Sequence, residues 1–271
     1  MTHPGSIALT IAGSDSGGGA GIQADLKAFS ARGAYGASVI TAITAQNTRA
    51  VTAVHPVPVD IVGAQIDAVF DDLDVRAIKV GMLFSPELTE VVAKRLDGHG
   101  APVVLDPVMV AKSGDTLLQD AAIEALRTRA LPLATLLTPN LPEAARLLDQ
   151  PAAEDVVTME RQGRALCDLG AGAVLMKGGH GSGETCIDLL VRPDSPAMRL
   201  TAPRQHTRNT HGTGCTLSSA IAAELALGHA LDDAVAVAHG YLQGAIRAAD
   251  RLSVGSGHGP VHHFHALWST P

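Results

Sequence analysis

Ser6-Ile7-Ala8-Leu9-Thr10-Ile11-Ala12-Gly13-Ser14-Asp15-Ser16-Gly17-Gly18-Gly19-Ala20-Gly21-Ile22-Gln23-Ala24-Asp25 reads as a strand, a loop and the start of a helix. Ser6–Ala12 is a short apolar run closed by a glycine, the pattern of a buried strand. Gly13–Gly21 is too glycine-rich for regular structure. From Ile22 to about Arg32, the spacing of Ile22, Leu26 and Phe29 is helical.

The pattern repeats outward from this unit. Tyr35–Ala45 reads as a second strand, Val59–Leu73 as a helix, Ala77–Met82 as a strand and Pro86–Leu96 as a helix. Val103–Val108 is a strand, Thr116–Arg127 a helix, Ala134–Thr138 a strand, Thr158–Leu169 a helix and Ala173–Lys177 a sixth strand. Glu184–Val191 and Met198–Thr201 read as an antiparallel pair. Helices from Gly212 to Leu227 and from Leu231 to Leu252 close the chain. This alternation predicts an α/β fold with a mostly parallel sheet and helices on both faces. Aromatic residues are only 3%, so Ala, Val and Leu must fill the core, which suits such a sheet.

Composition excludes several classes. Net charge is −7, which argues against a dedicated nucleic-acid surface. No run approaches the roughly 18 apolar residues of a membrane span. Cys167, Cys186 and Cys215 form no C-x-x-C pair and read as reduced thiols. With no basic leader-like segment, these features predict a cytoplasmic protein.

The informative polar residues fall just after strands: Asp15, Gln46, Asp106, Asn140 and Lys177. Open parallel sheets bind ligands outside the carboxyl ends of their strands, so one site built from many loops is predicted. Gly19–Ala24 matches the dinucleotide pattern G-x-G-x-x-G/A. That pattern also needs an acid about 20 residues on to hold a ribose, and no Asp or Glu lies between Asp25 and Asp60. A P-loop is absent, because no Lys follows a Gly. Asn209-Thr210-His211-Gly212-Thr213-Gly214-Cys215-Thr216 is a glycine turn opening a helix. Unpaired N–H groups and the positive helix end favour an anion there. They also predict a lowered pKa for Cys215. The local string alone is equally compatible with an ordinary helix start and an inert cysteine.

These segments together resemble a known family. Gly13–Asp25 resembles the N-terminal signature of hydroxymethylpyrimidine and phosphomethylpyrimidine kinases, enzymes of thiamine biosynthesis in the ribokinase-like superfamily. Asp106-Pro107-Val108-Met109-Val110-Ala111-Lys112-Ser113-Gly114 is similar to their second signature. Thr138–Ala144 is similar to the superfamily's N-x-x-E segment, and Asn209–Thr216 to the family's catalytic loop. Gly257–His263 is similar to family tails. That likeness weighs against reading His258, His262, His263 and His265 as a metal site.

The resemblance implies a single ribokinase-like three-layer sandwich spanning residues 1–271. It implies ATP-dependent phosphorylation of 4-amino-5-hydroxymethyl-2-methylpyrimidine, and then of the monophosphate. By motif position, Asp25 and Gln46 would hydrogen-bond the aminopyrimidine, beside Gly13, Ala20, Met82 and Val108. Asn140, Lys177 and Thr210 would serve ATP, and Asp106 and Glu143 would hold Mg²⁺ through water. Gly212, Thr213 and Gly214 would form an anion hole, with Cys215 as general base. Relatives commonly form dimers, so a homodimer is implied. The alternatives are a pyridoxal or pyridoxine kinase of the same superfamily and a catalytically silent ligand sensor. Lys112–Asp115 is a candidate loop closing over ATP.

Overall fold

The computed structural model describes residues 5–109, 120–180 and 183–268. The Lys112–Asp115 turn and the start of the predicted Thr116–Arg127 helix lie outside the described residues. Ten strands occur among them: β1 (Ile7–Ala12), β2 (Tyr35–Ile40), β3 (Ala42–Gln46), β4 (Val51–Pro56), β5 (Val75–Val80), β6 (Val103–Leu105), β7 (Leu136–Leu137), β8 (Val174–Lys177), β9 (Thr185–Arg192) and β10 (Ser195–Pro203). The α-helices are α1 (Gly21–Arg32), α2 (Val59–Asp72), α3 (Pro86–Leu96), α4 (Asp120–Ala125), α5 (Leu141–Leu148), α6 (Val156–Asp168), α7 (Thr213–Ala226) and α8 (Leu231–Arg247).

Eight strands form one sheet in the order β10-β9-β8-β7-β6-β5-β1-β2. Strands β2, β1, β5, β6, β7 and β8 run parallel, while β9 and β10 are antiparallel. Alternate residues of each strand feed two separate cores. Leu9, Ile11, Ile78 and Val80 pack with the apolar sides of α2 to α6. Ala8, Ala77, Val104 and Leu175 pack with α1, α7 and α8. The predicted three layers are present. No described helix is long and apolar enough to cross a membrane.

Local chemistry sets the helix starts. Ser85 caps α3, accepting a hydrogen bond from Leu88 N–H at 3.2 Å, with Pro86 in the first turn. At α5, Asn140 Oδ1 accepts from Glu143 N–H while Glu143 Oε2 accepts from Asn140 N–H, a reciprocal capping box. The predicted Tyr35–Ala45 strand is two strands. They break at Thr41, whose N–H donates to Ala12 O and whose hydroxyl donates to Met82 O. β3 then leaves the main sheet and pairs with β4 as a separate hairpin. Neither β4 nor α5 is evident in the residue pattern, and the last helix ends at Arg247 rather than Leu252.

Candidate active site

The connection from β1 runs to β2 on one side and that from β5 to β6 on the other, so the crossovers diverge between β1 and β5. A ligand site belongs at such a point, and a cleft of about 900 Å³ opens there. Gly13 and Ala20 line it from the β1–α1 loop, Gln46 from β3, and Met82, Asp106 and Val108 from the ends of β5 and β6. Asn140, Glu143 and Lys177 line it from β7, α5 and β8, and Thr210 to Cys215 from the start of α7. The geometry thus brings together every residue proposed from the sequence except Asp25.

Asp25 is a correction. It is fully buried beneath the cleft and does not line it. Its Oδ2 accepts from Thr10 Oγ1 (2.6 Å) and Lys79 Nζ (2.8 Å), and its Oδ1 from Ser219 Oγ (2.6 Å). Three short donors hold the carboxylate, and the cleft is lined without it.

The glycines set the shape. A Cβ on Gly13 would come within 2.9 Å of Met82 Cε, so the loop and Met82 form one closely packed wall. Gly212 has φ +78, and a Cβ there would collide with the Gly19 carbonyl oxygen. Only glycine allows that left-handed turn at this approach. The turn starts α7 at the cleft, which Gly212, Thr213, Gly214 and Cys215 line.

Asp15 ties the β1–α1 loop together. Its carboxylate accepts from the N–H groups of Gly17, Gly19 and Ala20 and lies 2.8 Å from His211 Nε2. Burial alone would raise Asp15, but the His211 hydrogen bond and charge hold it below the usual carboxylate range. An ionised carboxylate only accepts, so His211 Nε2 carries the hydrogen. Gln46 Nε2 stands 3.4 Å from the same nitrogen. His211 also pairs with the tail at Pro260. His263 anchors that tail, its Nε2 lying 3.0 Å from Thr216 Oγ1. Its burial points to packing beneath α7.

Opposite the glycine loop, Lys177 Nζ donates to Asp106 Oδ1 at 2.9 Å and lies 4.0 Å from Glu143 Oε2. Burial would raise Asp106, but Lys177 and Lys79 keep it ionised. Glu143 is pushed up to about 7, first by burial and then by Asp106, with Lys177 opposing. The two carboxylates share one lysine, and Glu143 is left short of positive charge. A divalent cation held through water fits that deficit.

Cys215 corrects a second expectation. Burial pushes its thiol up to about 11, and Asp25 and Asp106 add to the rise. Lys79 and the Gly21 N–H act in the other direction. Desolvation and two carboxylates outweigh the helix end. Three residues of the site were not singled out from the sequence: Lys79, Asp15 in its loop-tying role, and His211. A lone Lys inside the apolar run Ala77–Met82 was the available signal for the first.

A three-layer sheet whose strand ends present an anion-binding helix start beside a lysine–carboxylate cluster defines a small-molecule phosphotransferase. The sequence model of the family described as phosphomethylpyrimidine kinase matches residues 15–262. The hydroxymethylpyrimidine/phosphomethylpyrimidine kinase of Rhizobium meliloti is 59% identical over 263 residues, covering 97% of this chain and 98% of that one. Among solved structures, an ADP complex of Bacillus subtilis pyridoxal kinase superposes with a TM-score of 0.90 at 36% identity, covering 99% of this chain and 100% of that one. The phosphomethylpyrimidine kinase of Clostridium difficile gives 0.78 at 46% identity, covering 89% and 99%. The chain belongs to the phosphomethylpyrimidine kinase family and is a kinase of thiamine biosynthesis.

Proposed function

We propose that this chain, acting as one domain, moves the γ-phosphoryl group of ATP onto 4-amino-5-hydroxymethyl-2-methylpyrimidine and then onto the resulting monophosphate. The observation that carries this reading is the convergence on one cleft of Gln46, Met82 and Val108 with Lys177 and the glycine turn before Cys215. ATP use is supported by the ADP-bound relative of the same fold.

Each residue has a physical part. Gln46 offers a donor and an acceptor to the aminopyrimidine edge, and an unpaired buried edge is costly, so the contact selects. Gly13 and Ala20 leave room for the ring, with Met82 and Val108 packing on it. Asn140 and Thr210 face the nucleotide. Phosphoryl transfer needs positioning and charge stabilisation more than covalent chemistry. Backbone N–H groups of Gly212, Thr213 and Gly214 face the developing charge, and Lys177 follows the moving phosphoryl group. Asp106 and Glu143 would hold Mg²⁺ through water. Bound there, the ion would neutralise phosphate charge.

Cys215 serves the first transfer as general base. Its thiolate takes the hydroxymethyl proton while the alcohol oxygen bonds to phosphorus and the old bond to the diphosphate breaks. A thiolate whose conjugate acid sits near 11 is a scarce but strong acceptor. In the second transfer the nucleophile is a phosphate oxygen, already mostly ionised at neutral pH.

The free thiols support a cytoplasmic setting. Tyr35 (66% exposed) and the hairpin residues Ile43 and Val54 support pairing of two copies. The pyridoxal-kinase neighbour makes pyridoxal the second acceptor to test. ATP turnover with each acceptor decides. The account predicts a kcat/KM at least tenfold higher for the hydroxymethylpyrimidine, and a preference for pyridoxal overturns it.

A further inference from the structure

Lys79 has no part in the phosphoryl transfer described above. It lies in β5, between β1 and β6 in the sheet, and is 1% exposed. A lysine there carries a large desolvation penalty unless it is well paired. Its chain runs toward the cleft: a Cβ on Gly81 would fall within 2.9 Å of Nζ, and Lys79 forms part of the cleft lining. Asp25 grips Nζ from α1, and Asp25 is in turn gripped by Thr10 of β1 and Ser219 of α7. Ser219 stands four residues after Cys215, on the same face of α7. Four elements thus converge to fix one ammonium beside the cysteine's stretch of helix.

We propose that Lys79 is the fixed countercharge for Cys215, clamped by Asp25 so that it stabilises negative charge on the sulfur. This deepens the proposed base role and rests on it. The charged groups facing the thiol are Lys79 on β5, Asp25 on α1, Asp106 after β6 and Lys177 on β8. The two hydroxyl donors on Asp25 also satisfy its charge, so part of the lysine's field reaches the sulfur. Before each first transfer the thiol gives its proton to water. The thiolate then takes the substrate's hydroxyl proton and returns to the thiol form. Lys79 stays protonated throughout and touches no reacting atom, so it is a positioning residue.

The alternative is a buried ion pair that only ties the layers together. Alkylation of Cys215 by iodoacetamide, followed on its own peptide by mass spectrometry, separates the two. Lys79→Gln keeps a donor for Asp25 and removes the positive charge. Asp25→Asn keeps an acceptor oxygen for one of the two hydroxyls, lets the other accept from the new amide N–H, and removes the negative charge. At pH 8.5 the first should slow alkylation about tenfold and the second should speed it about tenfold, as expected for one pKa unit each way. Ser219→Ala changes no charge and should stay within twofold. Either charge variant alone fixes the sign, so a failure of one to fold leaves the test intact. Shifts in the same direction, or no shift, overturn the countercharge. If Cys215→Ala instead slows both transfers equally, the base reading fails while the alkylation result stands.

Discussion

Asp15 and His211, 196 residues apart in sequence, meet at 2.8 Å and join the glycine-rich loop to the loop that opens α7. The contact couples the loop proposed to wall the pyrimidine to the glycine turn proposed as the anion hole. His211→Ala would leave a buried carboxylate without its imidazole hydrogen-bond donor, at a cost of about 2 kcal/mol. Both loops would lose their mutual register. The expected result is a KM for the pyrimidine raised about tenfold, with a smaller change in KM for ATP. Steady-state kinetics with each substrate varied in turn checks this. An equal effect on both would place His211 elsewhere in the mechanism.

Gly212 fixes the direction of the first α7 N–H groups. Alanine there combines an unfavourable left-handed backbone with a clash against the Gly19 carbonyl. Gly212→Ala should therefore lower the rates of both phosphoryl transfers, each by about 10²-fold or more, because both use the same anion hole. Separate assays of the two steps provide the measurement. Loss in one step alone would contradict a shared hole.

Glu143 titrates where the enzyme works. Its carboxyl rises from 4.5 to about 7, chiefly through burial. A raised carboxyl favours the folded state when protonated. Its contribution is complete below pH 4.5 and fades as pH rises through 7. The proposed Mg²⁺ site would need the ionised form, so metal–nucleotide affinity should strengthen from pH 6 to 8 as Glu143 loses its proton. Glu143→Gln should flatten that rise. Binding titrations at three pH values would show it, and an unchanged slope in the variant would exclude Glu143 as its source.

Much of the frame was legible in the residues. The repeating strand and helix periods reveal the parallel sheet, because central strands are apolar on both faces and helices on one. Asp106, Asn140 and Lys177 were legible because each ends or follows a strand of the sheet, where the sheet delivers ligands, and Gln46 because it ends the β3 strand beside it. Asp25 was not, because an acid early in a helix looks the same whether it faces a cleft or a buried lysine. Lys79, Thr10 and Ser219, which settle that question, come from three other elements. The α5 helix hid behind Pro139 and Pro142, where its start is set by a capping box rather than by an apolar stripe. β4 has five of its six residues exposed, so no hydrophobic alternation marked it. The thiol's rise reflects burial first and then carboxylates on separate elements, neither of which a local string around Cys215 contains.

The central claim is that Cys215 is a base needed for one transfer and dispensable for the other. Its thiol sits near 11, so the thiolate fraction grows about tenfold per pH unit below that value. The direct measurement is kcat for each transfer, assayed separately from pH 7 to 9, in the unaltered enzyme and in Cys215→Ala. The account predicts a first-transfer rate that climbs with pH and falls at least 10²-fold in the variant, beside a second transfer that is nearly flat and little changed. Equal losses in both transfers, or a first transfer that ignores pH, would contradict it.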